Sequence, residues 1–213
     1  MASRPTPAEA PKRLPADVRR QQLLTVALRQ FGARGFEATT MDDIAEAAGV
    51  TKPLLYQHFA SKRALYLELL ETVARSLLEA IGKAVAAAEG PRQQVEGGFA
   101  AYFHLVASQA DSFSLLFGSD VPDDPELSRA VRHVEDMLAE AIDVLIDAGL
   151  DQDHRRLLAY AVVGMAEGAS RYFLALHQGG EGPGEEAETA DADRAARRLA
   201  DLAWAGLRSV HRD

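Results

Sequence analysis

Apolar residues recur at helical spacing through most of this chain, and no segment carries a strong strand signal. From Val18 to Phe31, the residues Leu23, Val26, Ala27 and Phe31 mark one face, with Leu24 and Leu28 beside it. The run Arg34-Gly35 should stop that helix, since glycine suits a C-terminal turn. Thr40 opens the next helix, with Asp43 three residues on where a capping box usually carries Glu or Gln. Met41, Ile44, Ala45 and Ala48 form its apolar stripe, and Gly49 breaks it after about two turns. Thr51 can cap a third helix, in which Pro53 is tolerated because first-turn amides have no intrahelical partner. Ser61 caps a fourth, with Lys62 in its first turn.

The third helix is short, and its two faces differ. At about 100° per residue, Leu55 and Phe59 share a face with Thr51 that must meet the core. Pro53 and Gln57 point the opposite way, Leu54 and Tyr56 flank them, and Lys52 and His58 lie at the edges. Two short helices joined by the tight Gly49-Val50 turn, the second exposing donors and an apolar tip, make a helix-turn-helix pattern. A glutamine reads adenine through paired hydrogen bonds, and an apolar tip touches a thymine methyl. Tyr, His, Lys and Thr suit phosphates, which position a protein on DNA without specifying sequence.

The net charge of −9 argues against nucleic acid only if it is evenly spread, and it is not. Residues 1–63 carry ten Lys/Arg against six Asp/Glu, a net of +4, whereas residues 64–213 carry thirteen against twenty-six, a net of −13. Such asymmetry marks a nucleic-acid-facing segment, although charge alone is equally open to chance. Residues 1–15, with Pro5, Pro7, Pro11, Pro15, Lys12 and Arg13, read as a disordered basic arm. The longest apolar run, about Ala159 to Ala166, is far short of the ~20 residues of a membrane span, and the N-terminus has no secretory pattern. A cytoplasmic protein without a membrane partner is expected. The chain has no cysteine, which excludes disulfides and thiolate metal sites.

The remaining pattern predicts helices over about Lys62–Ala88, ended by Gly90-Pro91, then Arg92–Ala110, Glu126–Ala148, Gln152–Gln178 and Thr189–Val210. A short segment, Phe113–Phe117, an acidic loop, Ser119–Pro125, and a flexible acidic loop, Gly179–Glu188, lie between them. The glycines of the last loop make no nucleotide-binding motif, because no strand precedes it. Aromatics gather at Phe99, Tyr102, Phe103, Phe113, Phe117, Tyr172 and Phe173. Each singly is ordinary core. Together, closed by Met165 and Tyr172, they could line an apolar cavity. His104 lies within this set as a lone histidine, and Glu167 and Arg171 are spaced to pair along a helix. Gly164 and Gly168, with Ala161 and Ala169 beside them, allow a second helix to approach closely. The stripe Leu199, Leu202, Ala203, Gly206, Leu207 and Val210 on the last helix matches them. That approach is either within the chain or between two subunits. The six histidines are scattered, without paired metal-ligand spacing. No catalytic residue, metal or cofactor is expected.

The segment ARGFEATTMDDIAEAAGVTKPLLYQHFASKRALYLELL resembles the DNA-binding domain of TetR-family transcription regulators, over about residues 17–66. Leu-Tyr-x-His-Phe and the following Ser-Lys carry the resemblance. It implies an all-α, TetR-like fold: a three-helix DNA-binding domain with a helix-turn-helix over 16–62, and a larger helical effector and dimerisation domain over 63–213. It implies a cytoplasmic, ligand-responsive homodimer acting as a repressor on a double-stranded DNA operator. Thr40 and Thr51 would contact phosphate at helix starts, and Lys52, Pro53 and Leu54 would lead the recognition helix. Tyr56 and His58 would contact the backbone, and Lys62 would reach phosphate. Gln57 replaces what is often a second aromatic, and Arg63 replaces what is often an acid, adding positive charge near DNA. The last two long helices would form the dimer interface, with Gly164, Gly168, Leu199, Ala203 and Leu207 in it.

Further along, RLP…R…QLL, KPLLYQHFASK…LYL, FSLLF, VGM…SRYF and WAGL look like the actinobacterial TetR-type regulators of fatty-acid synthesis genes. That likeness implies a hydrophobic small-molecule effector, long-chain acyl-coenzyme A or a fatty acid, whose binding shifts the long helix beginning near Lys62. Arg129, Arg132 and Arg171 are candidates by residue type for a coenzyme A head. The rival reading is a small-molecule carrier without operator function, against which the basic arm and the complete recognition helix stand.

Overall fold

The computed structural model describes residues 15–110, 113, 115, 124–146, 149–177 and 185–210. Among them the helices are α1 (Ala16–Ala38), α2 (Met41–Ala47), α3 (Lys52–His58) and α4 (Lys62–Ala86), followed by α5 (Pro91–Ser108), α6 (Pro125–Asp143), α7 (Gln152–His177) and α8 (Glu185–Leu207). No strand occurs among the described residues. None of their helices is long and apolar enough to cross a membrane. The basic arm over 1–14, Phe117 and most of the two acidic loops lie outside the described residues.

The amino-terminal helices close around the predicted stripes. Leu23, Ala27 and Phe31 of α1, Met41 and Ile44 of α2, and Leu55 of α3 are buried with Phe59 and with Leu65 and Tyr66 of α4. The local signals explain why the chain turns where it does. Gly49, at φ 64°, makes the α2–α3 turn, and a side chain there would meet nothing within 4 Å, so the demand on glycine is conformational. Thr40 and Asp43 form the expected capping box: Asp43 N–H donates to the threonine hydroxyl at 3.1 Å, and Thr40 N–H donates to the carboxylate at 2.8 Å. Ser61 accepts from Ala64 N–H at 3.1 Å at the start of α4.

Two expectations need correction, and one is met. Thr51 stands at the α3 N-cap position but is exposed and makes no side-chain capping bond there. Gly35 interrupts α1 as expected: at φ 74° and ψ 169° its backbone is non-helical, and a further short helical stretch carries on to Ala38 while the Thr39 hydroxyl donates to Gly35 carbonyl at 2.8 Å. Helix ends shift too: α6 stops at Asp143 rather than Ala148, because Leu145 N–H bonds back only three residues, to Ile142. Likewise α8 begins at Glu185, inside the stretch expected to be loop, and ends at Leu207.

Beyond α3 the helices form a bundle in which α4 packs on α5 and α6, α5 on α8, and α6 on α7. The first turns of α4 belong to both ends of the molecule. Tyr66 sets its ring edge-on to Phe31 (5.2 Å) and Phe36 (4.9 Å), while its hydroxyl donates to Leu115 carbonyl at 3.1 Å. Arg63 pairs with Glu126 at 2.6 Å and with Asp124, both at the start of α6. It therefore ties α4 to the bundle rather than standing free for DNA.

Candidate nucleic-acid interface and ligand cavity

The outward face of α3 follows from what its inward face buries. Leu55 is 0 % exposed and Phe59 is 2 % exposed, which turns Lys52, Pro53, Tyr56 and Gln57 to solvent and leaves Leu54 and His58 half-buried. Arg20 of α1 clamps the far end of α3. Its guanidinium lies 4.4 Å from the Phe59 ring centroid, donates to His58 carbonyl at 2.6 Å, and pairs with Glu68 of α4. This residue was invisible to sequence reasoning, because its partners lie 38 and 48 positions away.

Thr40 and Thr51 are both exposed at helix starts. Lys52 Nζ bonds Asp42 at 2.8 Å, which raises the lysine pKa and holds the leading edge of α3 against α2. The two hydrogen bonds from Thr40 hold the Asp43 carboxyl below its usual range, helped by Arg34 at 3.3 Å. Lys62 departs from expectation: Nζ donates to Phe36 carbonyl at 2.8 Å and lies 4.2 Å over the Phe36 ring. It acts here as a staple between α4 and the end of α1, since a backbone carbonyl and a ring face occupy its ammonium. The surface assembled from Thr40, Thr51, Lys52, Pro53, Tyr56 and Gln57 offers donors, one paired cation and apolar edges, the chemistry that reads a groove and touches phosphates.

A cavity of about 430 Å³ lies at the other end of the bundle, among the C-terminal part of α4 and helices α5, α6, α7 and α8. That volume falls within the range of about 300–1,000 Å³ common for small-molecule sites. Its wall is mostly aliphatic: Ile81 and Val85 of α4, Leu138 and Ile142 of α6, Val163 and Ala166 of α7. Of the expected lining among the described residues, only Phe99 and Tyr102 are on it. Phe103 and Phe113 are fully buried behind it as core. Met165 packs against the core away from the wall, and Tyr172 is 68 % exposed on the outside of α7. The helical period decides this, because residues 162, 163, 166 and 167 face inward and 165 and 172 cannot share their face.

Ala203 and Leu207, expected at a subunit interface, line the cavity instead, because that face of α8 turns toward α5. Leu199 is half-buried against the core. Gly164 and Gly168 face open space, where an added side chain would meet nothing within 4 Å. Leu157, Tyr172 and Leu176 of α7 and Leu202 of α8 are exposed. Together with the two glycines, the α7 residues run at helical spacing along one uncovered apolar stripe.

The polar groups of the wall are few. Tyr102 hydroxyl lies 3.1 Å from Ser170 Oγ, and burial pushes its phenol well above the ordinary tyrosine range. Burial also raises the Glu167 carboxyl; neighbouring Glu135 adds to the effect and Arg171 opposes it from 3.9 Å. Glu167 Oε1 is buried and has no hydrogen-bond partner among the described residues. Arg208, just past α8, is the cation on the wall and is exposed, without an ion pair among the described residues. The sequence offered Arg129, Arg132 and Arg171 instead, and none of these lines the cavity. His104 is exposed and pairs with Asp193 at 2.6 Å.

Cavity and amino-terminal helices are joined by contacts. Tyr102 meets Phe113 edge-on at 5.1 Å, and two residues on, Leu115 carbonyl accepts the Tyr66 hydroxyl, whose ring packs on Phe31 and Phe36.

Comparison with known proteins agrees with this geometry. Residues 23–69 match the profile of the bacterial regulatory proteins of the tetR family. The chain is 32 % identical over 200 residues to the HTH-type transcriptional activator FasR of Mycolicibacterium smegmatis, covering 93 % of this chain and 87 % of that protein. The crystal structure of a TetR-like transcriptional regulator from Rhodococcus sp. RHA1 superposes with a TM-score of 0.74 at 29 % identity, over 93 % of this chain and 100 % of that one. The transcriptional regulator FadR from Bacillus subtilis, solved in complex with stearoyl-CoA, shares the fold at a TM-score of 0.69 and 15 % identity, over 84 % of this chain and 97 % of that one. This chain belongs to the TetR family of bacterial regulatory proteins, and it is an all-helical, DNA-binding transcription regulator.

Proposed function

We propose that two copies of this chain bind a near-palindromic operator, each placing α3 in the major groove, and that a long acyl chain in the cavity sets the affinity. Residues 16–62 would carry DNA contact, and residues 63–213 effector binding and dimerisation. The observation that carries the reading is the division of α3 into a fully buried apolar face and an exposed face of Lys52, Pro53, Tyr56 and Gln57. Leu54 and Gln57 read bases, whereas Thr40, Thr51, Lys52, Tyr56 and His58 position the helix on phosphates. The uncovered stripe through Gly164 and Gly168 suits the two-fold contact between subunits. A long acyl chain suits the aliphatic cavity, at about 0.8 kcal/mol for each buried methylene, with its anionic head at Arg208. The stearoyl-CoA complex of FadR supports this, since that protein has the same fold. FasR, which matches along most of both chains, is named an activator, and this favours activation over the repression expected from sequence.

The test is fluorescence anisotropy on a labelled operator, titrated with acyl-coenzyme A and free acids of increasing length. Long chains should change operator affinity and raise the melting temperature, and short chains should do much less. An operator affinity and melting temperature indifferent to chain length would remove the acyl effector.

A further inference from the structure

The cavity contains one group that an unbranched hydrocarbon does not satisfy. Its outer end has the exposed residues Pro91 and Arg208, and its inner end has the buried Tyr102 with Glu167 beside it. Along α5 the wall extends from Pro91 to Tyr102, about 16 Å at the helical rise per residue. Among the described residues, Glu167 Oε1 is buried there without a partner. Its neighbours cannot supply one. Ser170 Oγ donates its single proton to Glu167 carbonyl at 2.9 Å, so at 3.1 Å it must accept from the Tyr102 hydroxyl. Both hydroxyl protons are therefore committed, and Arg171 reaches only the other carboxyl oxygen, at 3.9 Å. A buried acceptor without a donor is rare in native proteins and points to a missing partner.

We propose that the inner end of the cavity is a hydrogen-bonding subsite built on Glu167, which takes a hydroxyl carried far along the acyl chain. The proposal rests on the cavity holding an acyl chain with its head at Arg208. A hydroxyl fits better than an ammonium because it both donates and accepts, and so matches either charge state of the carboxyl. Burial and Glu135 favour the neutral acid and Arg171 favours the anion. A plain methyl terminus offers Oε1 no donor and leaves it unpaired.

Titration calorimetry on the full chain tests this with lauric and palmitic acids, their omega-hydroxy derivatives, and 2-hydroxypalmitic acid, whose hydroxyl stays beside the head. For at least one length, the omega-hydroxy acid should bind about tenfold more tightly than its parent, in line with a hydrogen bond to an ionisable group. The 2-hydroxy acid should gain nothing over palmitic acid. Glu167→Met should abolish the omega preference while binding palmitic acid at least as tightly. Equal affinity of both omega-hydroxy acids and their parents overturns the subsite, as does a preference that survives in Glu167→Met. The comparison on the unaltered protein stands even if that variant does not fold. Failure of every acid to bind removes the acyl-chain reading itself, an outcome distinct from binding without discrimination.

Discussion

Replacing Tyr66 by Phe removes one oxygen from the joint between the two ends of the molecule and nothing else. The ring keeps its edge contacts with Phe31 and Phe36, so the packing of the amino-terminal helices survives. The loss is the buried 3.1 Å hydrogen bond to Leu115 carbonyl. Burial pushes the phenol up to about 12, so it is a protonated donor throughout the neutral range. A neutral hydrogen bond contributes about 0.5–1.5 kcal/mol net, and a carbonyl left dry brings the total cost to about 1–3 kcal/mol. For a chain of this size each kcal/mol moves the melting temperature by about 2–4 °C, so a fall of roughly 2–12 °C is expected. Leu115 lies two residues from Phe113, which meets Tyr102 on the cavity wall. Effector coupling of about 1–3 kcal/mol is typical of allosteric proteins. Losing about 1 kcal/mol of it divides the effector-induced ratio of operator affinities by about five. Operator anisotropy with and without saturating acyl-coenzyme A, alongside thermal melts of both proteins, measures both quantities. A lowered melting temperature with an unchanged ratio refutes the route through Tyr66 and leaves it a structural bond only.

Three further outcomes are expected. Gly164→Leu, on a face with nothing within 4 Å inside the subunit, should spare the fold but weaken association by about 1–3 kcal/mol, visible as monomer in light scattering. Lys52→Ala should weaken binding to all DNA sequences and reduce the salt slope by about one, whereas Asp42→Ala, which frees Lys52 from its 2.8 Å bond, should strengthen it in the same gel-shift series. The raised Glu167 pKa means the folded state binds more protons than the unfolded state, so this carboxyl favours folding at acid pH and loses that contribution as pH rises through its folded value. Glu167→Gln should therefore raise the melting temperature at neutral pH, with a gain that shrinks on acidification; a gain constant across pH would contradict the assignment.

Local chemistry made much of the amino-terminal unit legible. The Thr40–Asp43 box, the Gly49 turn and the face shared by Leu55 and Phe59 are all set by residues within about two turns of one another, so their spacing carries them. The cavity was less legible. Aromatic residue type pointed at Phe103, Phe113 and Tyr172, but type does not record which side of a helix faces a neighbour. Glu167 was read only as a pair for Arg171, because its isolation depends on where Ser170 and Tyr102 send their protons.

Sequence by itself determined the helices, the helix-turn-helix and the family, because capping, periodicity and a contiguous motif are short-range properties of the chain. Tertiary structure alone decided that Arg20 holds the end of α3, that Arg63 and Lys62 are bound to protein, and that Ala203 and Leu207 line a cavity. Those contacts join residues from 26 to 63 positions apart, or depend on the rotation of one helix against several others. No local pattern encodes such a rotation, because it is fixed only when the apolar faces of all the helices are buried together.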